Sequence, residues 1–313
     1  MSYTTSIKEE ISTVKSTKSE MIAELSGFIR NNGTLSDNTI ILTTESETTK
    51  DRIKHFLKES YEVDSIVEIK DSLNFSKNDL YVMNINDKLE LILKDIGYVD
   101  EEGRLLSSPP KYIVDSAEEV KAYLRGVFLS GGSINDPKTS RYHMELLIFS
   151  PEEAVFVQKL LNIFDLNAKI LNRDKGYMIY IKEAEKISDF IKILGANKAV
   201  MYFENVRIYR HQKNKTNRLN NCEQANMDKV FQTATEQLNQ IEIIESTGSL
   251  DLLDERTQIA LQYRKKYPES SLKELSEIIS VETGKSLTKS GLNHRLRKVK
   301  ELAEKLEKNK EKN

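Results

Sequence analysis

Two apolar stretches with the same glycine pattern lie 99 residues apart, and this repeat restricts the fold more than any other feature of the chain. The first, ELSGFIRNNGTL, contains Gly27 and Gly33, and the second, YLRGVFLSGGSI, contains Gly126 and Gly132. Both resemble apolar helices that end at a glycine. Self-similarity at a fixed period indicates that one structural unit occurs twice. A chain of 313 residues is long enough to hold two or three domains.

The segments after the two stretches also repeat in the same order. Strand-like segments rich in β-branched residues alternate with segments of helical apolar spacing. The helix at 151–164 has Ser150 as its cap and Pro151 in its first turn, a typical helix start. This order predicts an α+β fold with two copies of an αββαββα unit, in halves 18–97 and 117–195. The other predicted elements are strands 39–46, 65–70 and 80–85 with helices 49–60 and 86–97 in the first half, and strands 142–150, 168–172 and 177–182 with helix 183–195 in the second.

The glycines predict how the two repeated helices pack. Gly27 and Gly126 lie inside the helices, where glycine costs about 1 kcal/mol relative to alanine. Packing of the two helices side by side at a pseudo-twofold axis would offset this cost, because a residue without Cβ lets the backbones approach closely. The terminal glycines Gly33 and Gly132 are expected to take the left-handed conformation that ends a helix.

The motifs LSGFIRNNG (25–33) and LRGVFLSGG (124–132) resemble degenerate copies of the LAGLIDADG signature of homing endonucleases. The resemblance covers roughly residues 18–200. It implies that the signature helices lie between two αββαββα halves, over a saddle-shaped sheet that rests on DNA. It also implies that the penultimate residue of each motif is an acid that binds the catalytic metal. Those positions hold Asn32 and Gly131 here, and neither residue can supply anionic oxygens to a hard divalent cation.

Neither a catalytic centre nor a cofactor site is expected elsewhere in the chain. Asp37, Asp136 and Glu145 lie near the motifs and could replace the missing acids, but none holds the motif position. The single cysteine, Cys222, excludes an internal disulfide and a Cys-cluster zinc site. The four histidines have no metal-ligand spacing, and no glycine-rich phosphate loop occurs. The expectation is therefore a chain without catalytic residues, metal or cofactor.

Positive charge is concentrated in the last third of a chain whose net charge is -2. Nine basic residues stand against four acidic ones in 289–313, and such a local excess can bind nucleic acid even when the total charge is near zero. No run of 18 apolar residues occurs, and the N-terminus lacks the pattern of a secretory signal, so a cytosolic location is expected. A second basic cluster, in 205–218, consists of Arg207, Arg210, Lys213, Lys215 and Arg218.

The segment 271–306 predicts two helices joined by a turn, and a further helix at 252–266 precedes them. Ser271 is the predicted cap of the first helix, and Gly284 lies in the turn. In a helix-turn-helix, the second helix enters the major groove, where Arg and Asn contact base edges while lysines contact phosphates. The apolar positions of the second helix recur at steps of 4, 3, 4 and 3 residues, and burial of the first two is expected to anchor the polar face; they are Leu292, Leu296, Val299, Ala303 and Leu306. The predicted DNA-binding residues are Lys289, Ser290, Asn293, His294, Arg295, Arg297, Lys298 and Lys300.

Three stretches together resemble the WhiA family of bacterial transcription regulators, which is tied to sporulation and cell division in Gram-positive bacteria. They are LTKSGLNHRLRKV, NRLNNCEQANMDKV and SYTTSIKEEI, and the match covers nearly the whole chain. The resemblance implies a LAGLIDADG-like domain without its catalytic acids, followed by a helix-turn-helix domain that binds promoter DNA sequence-specifically. The expected segments are an N-terminal helical arm (1–17), the duplicated domain (18–202), a basic linker (203–235) and the helix-turn-helix domain (236–313).

Other functions fit parts of the same pattern. The basic helix face could simply be solvated, and the linker could follow phosphates or form a flexible hinge. Non-specific nucleic-acid binding, a scaffold for an RNA or protein partner, and an active endonuclease are the alternatives. Tyr142, Tyr177 and Tyr180 could stack on RNA bases or lie half-buried in strands. The leading interpretation is a non-enzymatic, nucleoid-associated regulator of double-stranded promoter DNA, with another transcription factor as a second candidate partner and no membrane contact.

Overall fold

The computed structural model describes residues 2–36, 38–70, 79–139, 141–174 and 176–310. The chain folds into two compact units, Met1–His211 and Gln212–Asn313. The first unit contains two four-stranded antiparallel sheets, and the described part of the second unit is helical.

The first half of the duplicated region has the element order αββαββα, as predicted. Its strands pair in the order β1-β2-β4-β3, and every pair is antiparallel. Ser46 begins the second helix of this half, because its side chain accepts a hydrogen bond from the Thr49 amide at 3.2 Å. The elements are α2 (Lys18–Asn32), β1 (Thr34–Ser36), β2 (Thr39–Thr44), α3 (Glu47–Tyr61), β3 (Ile66–Lys70), β4 (Leu80–Ile85) and α4 (Leu89–Asp95).

The second half repeats this order and topology, so the predicted duplication is confirmed. Its strands pair in the equivalent order β5-β6-β8-β7. The cap predicted at Ser150 is present, with Pro151 in the first turn of the helix. The elements are α5 (Ala117–Gly131), β5 (Gly132–Ile134), β6 (Met144–Ile148), α6 (Pro151–Ile163), β7 (Lys169–Arg173), β8 (Gly176–Ile181) and α7 (Ala184–Leu194).

The repeated helices α2 and α5 pack against each other through their glycines. A Cβ built on Gly126 would overlap the carbonyl oxygen of Glu24 and lie 2.8 Å from the Phe28 amide nitrogen. A Cβ on Gly27 would overlap the carbonyl oxygen of Tyr123. Each glycine therefore faces the residue three positions before the other glycine. The predicted close approach of the two backbones is confirmed, and it is reciprocal.

The prediction for the terminal glycines is wrong. Gly33 has φ -73° and ψ 133°, and Gly132 has φ -85° and ψ 146°, so both are extended rather than left-handed. The chain passes from each helix into a strand with almost no connecting loop, which requires an extended residue at the junction. Glycine is needed there for space: a Cβ would lie 2.6 Å from the Ile29 carbonyl oxygen at Gly33, and 2.7 Å from the Phe128 carbonyl oxygen at Gly132.

The N-terminal helix α1 (Tyr3–Ile11) belongs to the core of the first unit. It is shorter than the expected arm of residues 1–17, and Tyr3, Ile7 and Ile11 are buried in the core cluster. The carboxylate of Glu10 accepts hydrogen bonds from the amides of Lys198 and Ala199, at 2.7 and 3.0 Å. The first helix thus caps a helix that begins at Asn197, where unpaired amide groups need acceptors.

Two buried ionic clusters stabilise the paired helices. Glu24 is fully buried and accepts from Arg52 Nη2 at 2.8 Å and from Arg125 Nε at 3.1 Å. In the second cluster, Arg30 Nε of α2 donates to the Glu153 carboxylate of α6 at 3.1 Å. Removing one partner of such a cluster leaves a buried charge unpaired, which typically costs about 3–5 kcal/mol.

Helix α8 spans Asn197–Ser246 and contains the whole stretch 203–235 that was expected to be a linker. This stretch is helical and does not form a flexible hinge, because 203–235 contains neither glycine nor proline to interrupt a helix. In the described part of the second unit, a short 3-10 helix (Leu250–Leu252) and three α-helices follow: α9 (Glu255–Lys266), α10 (Leu272–Thr283) and α11 (Lys289–Lys310).

Candidate nucleic-acid interface

Helices α10 and α11 form the predicted helix-turn unit. Ser271 and Glu274 make a complete capping box at the start of α10. Gly284 ends α10 in the left-handed conformation, with φ 64° and ψ 11°. Leu275 and Leu292 are buried in one hydrophobic cluster that joins α10 to α11. The predicted cap and turn are therefore confirmed.

The two long faces of α11 differ in burial, as predicted. Leu292, Leu296, Val299 and Ala303 are buried, and they fix the helix on its neighbours. This packing leaves the opposite face of the same helix free to project polar side chains. The predicted polar residues that are exposed are Lys289, Ser290, Asn293, His294, Arg297, Lys298 and Lys300.

The exposed residues fall into a central row and two flanks. At roughly 100° per residue, Ser290, Asn293, His294 and Arg297 all lie within about 60° of one line along the helix. That line is about 150° from the centre of the buried row. Lys298 and Lys300 lie on opposite sides of this line, by about 80° each. A row of base-reading residue types is thus bordered by lysines, which suits a helix in a groove with phosphates on both sides.

The cations of α11 have only weak partners within the protein. Arg297 is 3.9 Å from Glu301, Lys300 is 4.0 Å from Glu304, and Lys298 is 3.8 Å from Asp254. All of these side chains are at least half exposed. Exposed pairs of this kind contribute about 0–1 kcal/mol. A phosphate or a base edge can therefore displace the carboxylates at little cost.

Arg295 differs from the other candidates because it faces the neighbouring helix. It is partly buried, and its Nη1 donates to the Arg256 carbonyl oxygen at 3.4 Å. Together with Asp254, His294 and Lys298 it lines a surface cavity between α9 and α11. Arg295, which was predicted to bind DNA, thus contacts the protein itself.

The five residues of the basic cluster in 205–218 differ in their contacts. Arg207 forms salt bridges with Glu185 and Glu204, at 3.0 and 2.9 Å. Arg210 donates to the carbonyl oxygens of Pro137 and Thr139, both at 2.6 Å, and stacks on the ring of Tyr142. Both arginines bind the start of α8 to other elements of the first unit. The other three members, Lys213, Lys215 and Arg218, are exposed on α8.

The ends of the two motif helices do not form a metal site. The Asn32 side-chain oxygen accepts a hydrogen bond from the Thr43 amide at 2.8 Å, and Gly131 has no side chain. The ammonium of Lys8 lies beside these ends and donates to the Leu129 carbonyl oxygen at 3.1 Å. Burial lowers the pKa of Lys8 to about 8. The residues present here therefore do not fit a divalent cation.

The acids near the motifs are engaged elsewhere. Asp136 accepts hydrogen bonds from the Tyr202 hydroxyl and the Lys138 amide, and Glu145 contacts His143 at 3.1 Å. Asp37 lies outside the described residues. Within the ranges that the structure describes, no three His, Cys, Asp or Glu side chains are grouped closely enough to hold a metal ion.

Comparison with known families agrees with this architecture over most of the chain. The WhiA N-terminal LAGLIDADG-like domain matches residues 18–99, the WhiA LAGLIDADG-like domain matches 120–213, and the WhiA C-terminal HTH domain matches 216–303. The chain belongs to the WhiA family.

Relatives in the WhiA family align over nearly their whole length. A protein of Bacillus cereus named probable cell division protein WhiA is 38% identical over 310 residues, which is 98% of this chain and 97% of the relative. A protein of the same name from Oceanobacillus iheyensis is 36% identical over 310 residues, with 98% of both chains covered. None of the helices described for this WhiA-family chain is both long and apolar enough to span a membrane.

Solved WhiA structures have the same fold. The full-length DUF199/WhiA protein from Thermatoga maritima superposes with a TM-score of 0.60 at 24% identity, covering 97% of this chain and 99% of that one. The N-terminal LAGLIDADG domain of DUF199/WhiA superposes with a TM-score of 0.50 at 25% identity, covering 61% and 89%. The LAGLIDADG-like fold and the WhiA resemblance predicted from the motifs are thereby confirmed.

Sequence reasoning missed one group of basic residues in the WhiA HTH domain. Arg264 is only 1% exposed, and it lines a cavity together with Lys229 and Lys273. The signal was present in α9: the buried positions Thr257, Ala260 and Leu261 predict that residue 264 is also buried. An arginine at a core position of an amphipathic helix is unusual, since arginine is rarely fully buried unless it is paired.

Proposed function

We propose that this chain is a sequence-specific DNA-binding transcription regulator whose α11 reads the major groove. The observation that carries the proposal is the arrangement of α11. Its apolar side is buried against α9 and α10, while Ser290, Asn293, His294 and Arg297 project from the exposed side. Its N-terminal turns are the part that contacts bases in a helix-turn-helix.

The side chains of this face suit the edges of base pairs. Arg297 can donate two parallel hydrogen bonds to guanine, and Asn293 can donate to and accept from adenine. Lys289, Lys298 and Lys300 border the face and can contact phosphates, as can the Ser290 hydroxyl near the positive end of the helix. Lys213, Lys215 and Arg218 on α8 would add affinity that does not depend on sequence.

The nuclease-like part of the chain acts in this proposal without cleaving DNA. Hydrolysis by a LAGLIDADG enzyme needs acids at the motif positions, and this chain has Asn32 and Gly131 there. The amide of Asn32 is already used to bind a strand backbone. We therefore propose that the duplicated domain is a non-catalytic scaffold, which another transcription factor could contact.

The names of the relatives support a role connected with cell division. Proteins 36–38% identical to this chain are named probable cell division proteins. We propose that the chain acts on the nucleoid in the cytosol, at promoters of sporulation or cell-division genes.

Selection of binding sites from a random duplex library at physiological salt tests this proposal. The full chain and an Asn293→Ala, Arg297→Ala double variant are compared under the same conditions. We expect one motif to be enriched by the wild type and lost or degraded in the variant. Salt-sensitive binding without any enriched motif would refute sequence-specific regulation. Enrichment of the same motif by both proteins would refute the assignment of α11 as the reader.

A further inference from the structure

A small cavity in the second unit is lined by an unusual set of charges. It has a volume of about 210 Å³ and lies between α8, the end of α9 and the beginnings of α10 and α11. The charged residues that line it are Lys229, Arg264, Lys273 and Lys289, so all four are cations. Among the described residues that line the cavity, none is acidic. Four cations around one cavity repel each other unless an anion enters it.

Arg264 is the buried member of this set, and its charge is not balanced. Its Nη1 donates to the Ser270 carbonyl oxygen at 2.7 Å, which fixes the side chain. Its Nε is buried and has no hydrogen-bond partner among the described residues. Burial lowers the pKa of the guanidinium, and no neighbouring carboxylate opposes this effect. A buried cation with an unused donor is costly to maintain, so the site is suited to an anionic acceptor.

The start of α10 adds two further donors to the same cavity. Of its first amides, that of Ser271 donates to the Glu274 carboxylate at 2.8 Å, and that of Glu274 donates to the Ser271 hydroxyl. The next two, of Leu272 and Lys273, have no carbonyl of their own helix to bond, and both residues line the cavity. The carboxylate of Glu274 brings one negative charge to this helix end, but it is not part of the cavity wall.

We propose that this cavity binds one phosphate group, with Arg264 and the first amides of α10 as its fixed donors and the three lysines as its mobile ones. A phosphate offers several oxygens to donors that converge from different directions, as these do. The group can belong to the backbone of a bound duplex or to a free phosphate ion. The first source rests on the proposed function, because Lys289 opens the helix that would lie in the groove. The second source does not depend on it.

The Arg264 Nε–H group provides a direct NMR probe in the full chain. Inorganic phosphate is titrated at constant ionic strength, with chloride as the balancing anion. We expect a saturable shift of the Arg264 Nε–H resonance. Lys229→Ala and Lys273→Ala should each weaken the phosphate affinity about three- to tenfold, since each removes one charged donor. Lys305→Ala is the matched control, because residue 305 lies about 24 Å along α11 from Lys289, and it should leave the affinity unchanged.

Two results would overturn the phosphate site. One is a shift that rises linearly without saturation, which would indicate only a general salt effect. The other is an equal affinity in the wild type, both cavity variants and the Lys305→Ala control. Lys229 and Lys273 are exposed, so their variants should fold and keep both results interpretable.

A second arm with a duplex selected by the full chain distinguishes the two sources. If the bound duplex reproduces the Arg264 shift and abolishes the response to inorganic phosphate, the occupant is a backbone phosphate. If the duplex binds while phosphate still titrates the same resonance, the occupant is a free phosphate. If no duplex binds, the proposed function fails, and the phosphate titration still decides the cavity.

Discussion

Replacing Gly126 by alanine tests whether close backbone contact between α2 and α5 holds the first unit together. The added Cβ would overlap the Glu24 carbonyl oxygen and lie 3.0 Å from its carbonyl carbon and 2.8 Å from the Phe28 amide nitrogen. These are backbone atoms in the middle of a helix, so no side-chain rotation can relieve the overlap. The helices would have to separate by about 1 Å to restore normal contact distances.

Opposing effects set the size of the loss. Alanine is favoured over glycine in a helix by about 1 kcal/mol, whereas overpacking a dense core costs typically 1–3 kcal/mol and occasionally more. Here the separation also strains the buried pairing of Glu24 with Arg125, one residue from each helix. The difference between the first two effects is about 0–2 kcal/mol, and the strained ion pair adds to it, so we expect a net loss of about 2 kcal/mol in the free energy of unfolding.

Hydrogen exchange of peptides from α2 and α5, measured by mass spectrometry, reports the loss of stability in the first unit separately from the second. The matched control is Gly291→Ala, also a glycine inside a helix, where the Cβ meets only side-chain atoms of Leu287 and Thr288 at 3.3 Å. That substitution should leave protection of the first unit unchanged. Protection in α2 and α5 that stays equal to or rises above the wild-type level in Gly126→Ala would show that the close approach is not required.

Three further perturbations address the DNA-binding face, the motif ends and the buried lysine. Arg297→Ala should cost about 1–3 kcal/mol on the selected duplex and little on random DNA, whereas Lys300→Ala should weaken both alike; equal losses from Arg297→Ala on the two duplexes would remove it from the base readers. Supercoiled plasmid incubated with protein and magnesium should stay intact, and nicking that Asn32→Ala abolishes would contradict the non-catalytic scaffold. Burial lowers the pKa of Lys8 from 10.5 to about 8, so the unfolded state binds this proton more tightly than the folded state does. The free energy of unfolding of the wild type should therefore increase as the pH rises from 8 to 10.5, by at most about 3 kcal/mol. Denaturant titrations of Lys8→Met should lack this gain, and an unchanged pH profile would refute the buried amine.

The duplicated domain could be predicted from sequence because its signals are local and occur twice. The spacing of Gly27 and Gly126 fixed the repeat, and the strand and helix patterns matched in both halves. The strand at 80–85 was predicted with the observed bounds. For the C-terminal helices, the cap at Ser271 and the turn at Gly284 were equally local, because each depends on a few neighbouring residues.

The remaining features depend on residues that are distant in sequence. The ionic pair of Arg30 and Glu153 joins positions 123 residues apart, and no local pattern announces it. Gly33 was assigned the left-handed conformation because most glycines at helix ends adopt it, but the strand that follows immediately requires extended backbone. In the candidate interface, the exposed residues of α11 could be predicted from their residue types and their spacing. The cavity around Arg264 could not, because its wall is formed by α9 together with three other helices, α8, α10 and α11.

The capping of α8 by Glu10 has a consequence for how the protein is made. Tyr3 and Glu10 find their partners only at residues 198 and 199. At bacterial synthesis rates of about 5–20 residues per second, the ribosome needs roughly 10–40 s to reach them. During that interval the residues that bind Tyr3 and Glu10 have not been synthesised, so α1 cannot complete its contacts with the first unit. Completion of the first unit is thus timed by translation, and a bulky fusion at the N-terminus would interfere with a late step of assembly rather than an early one.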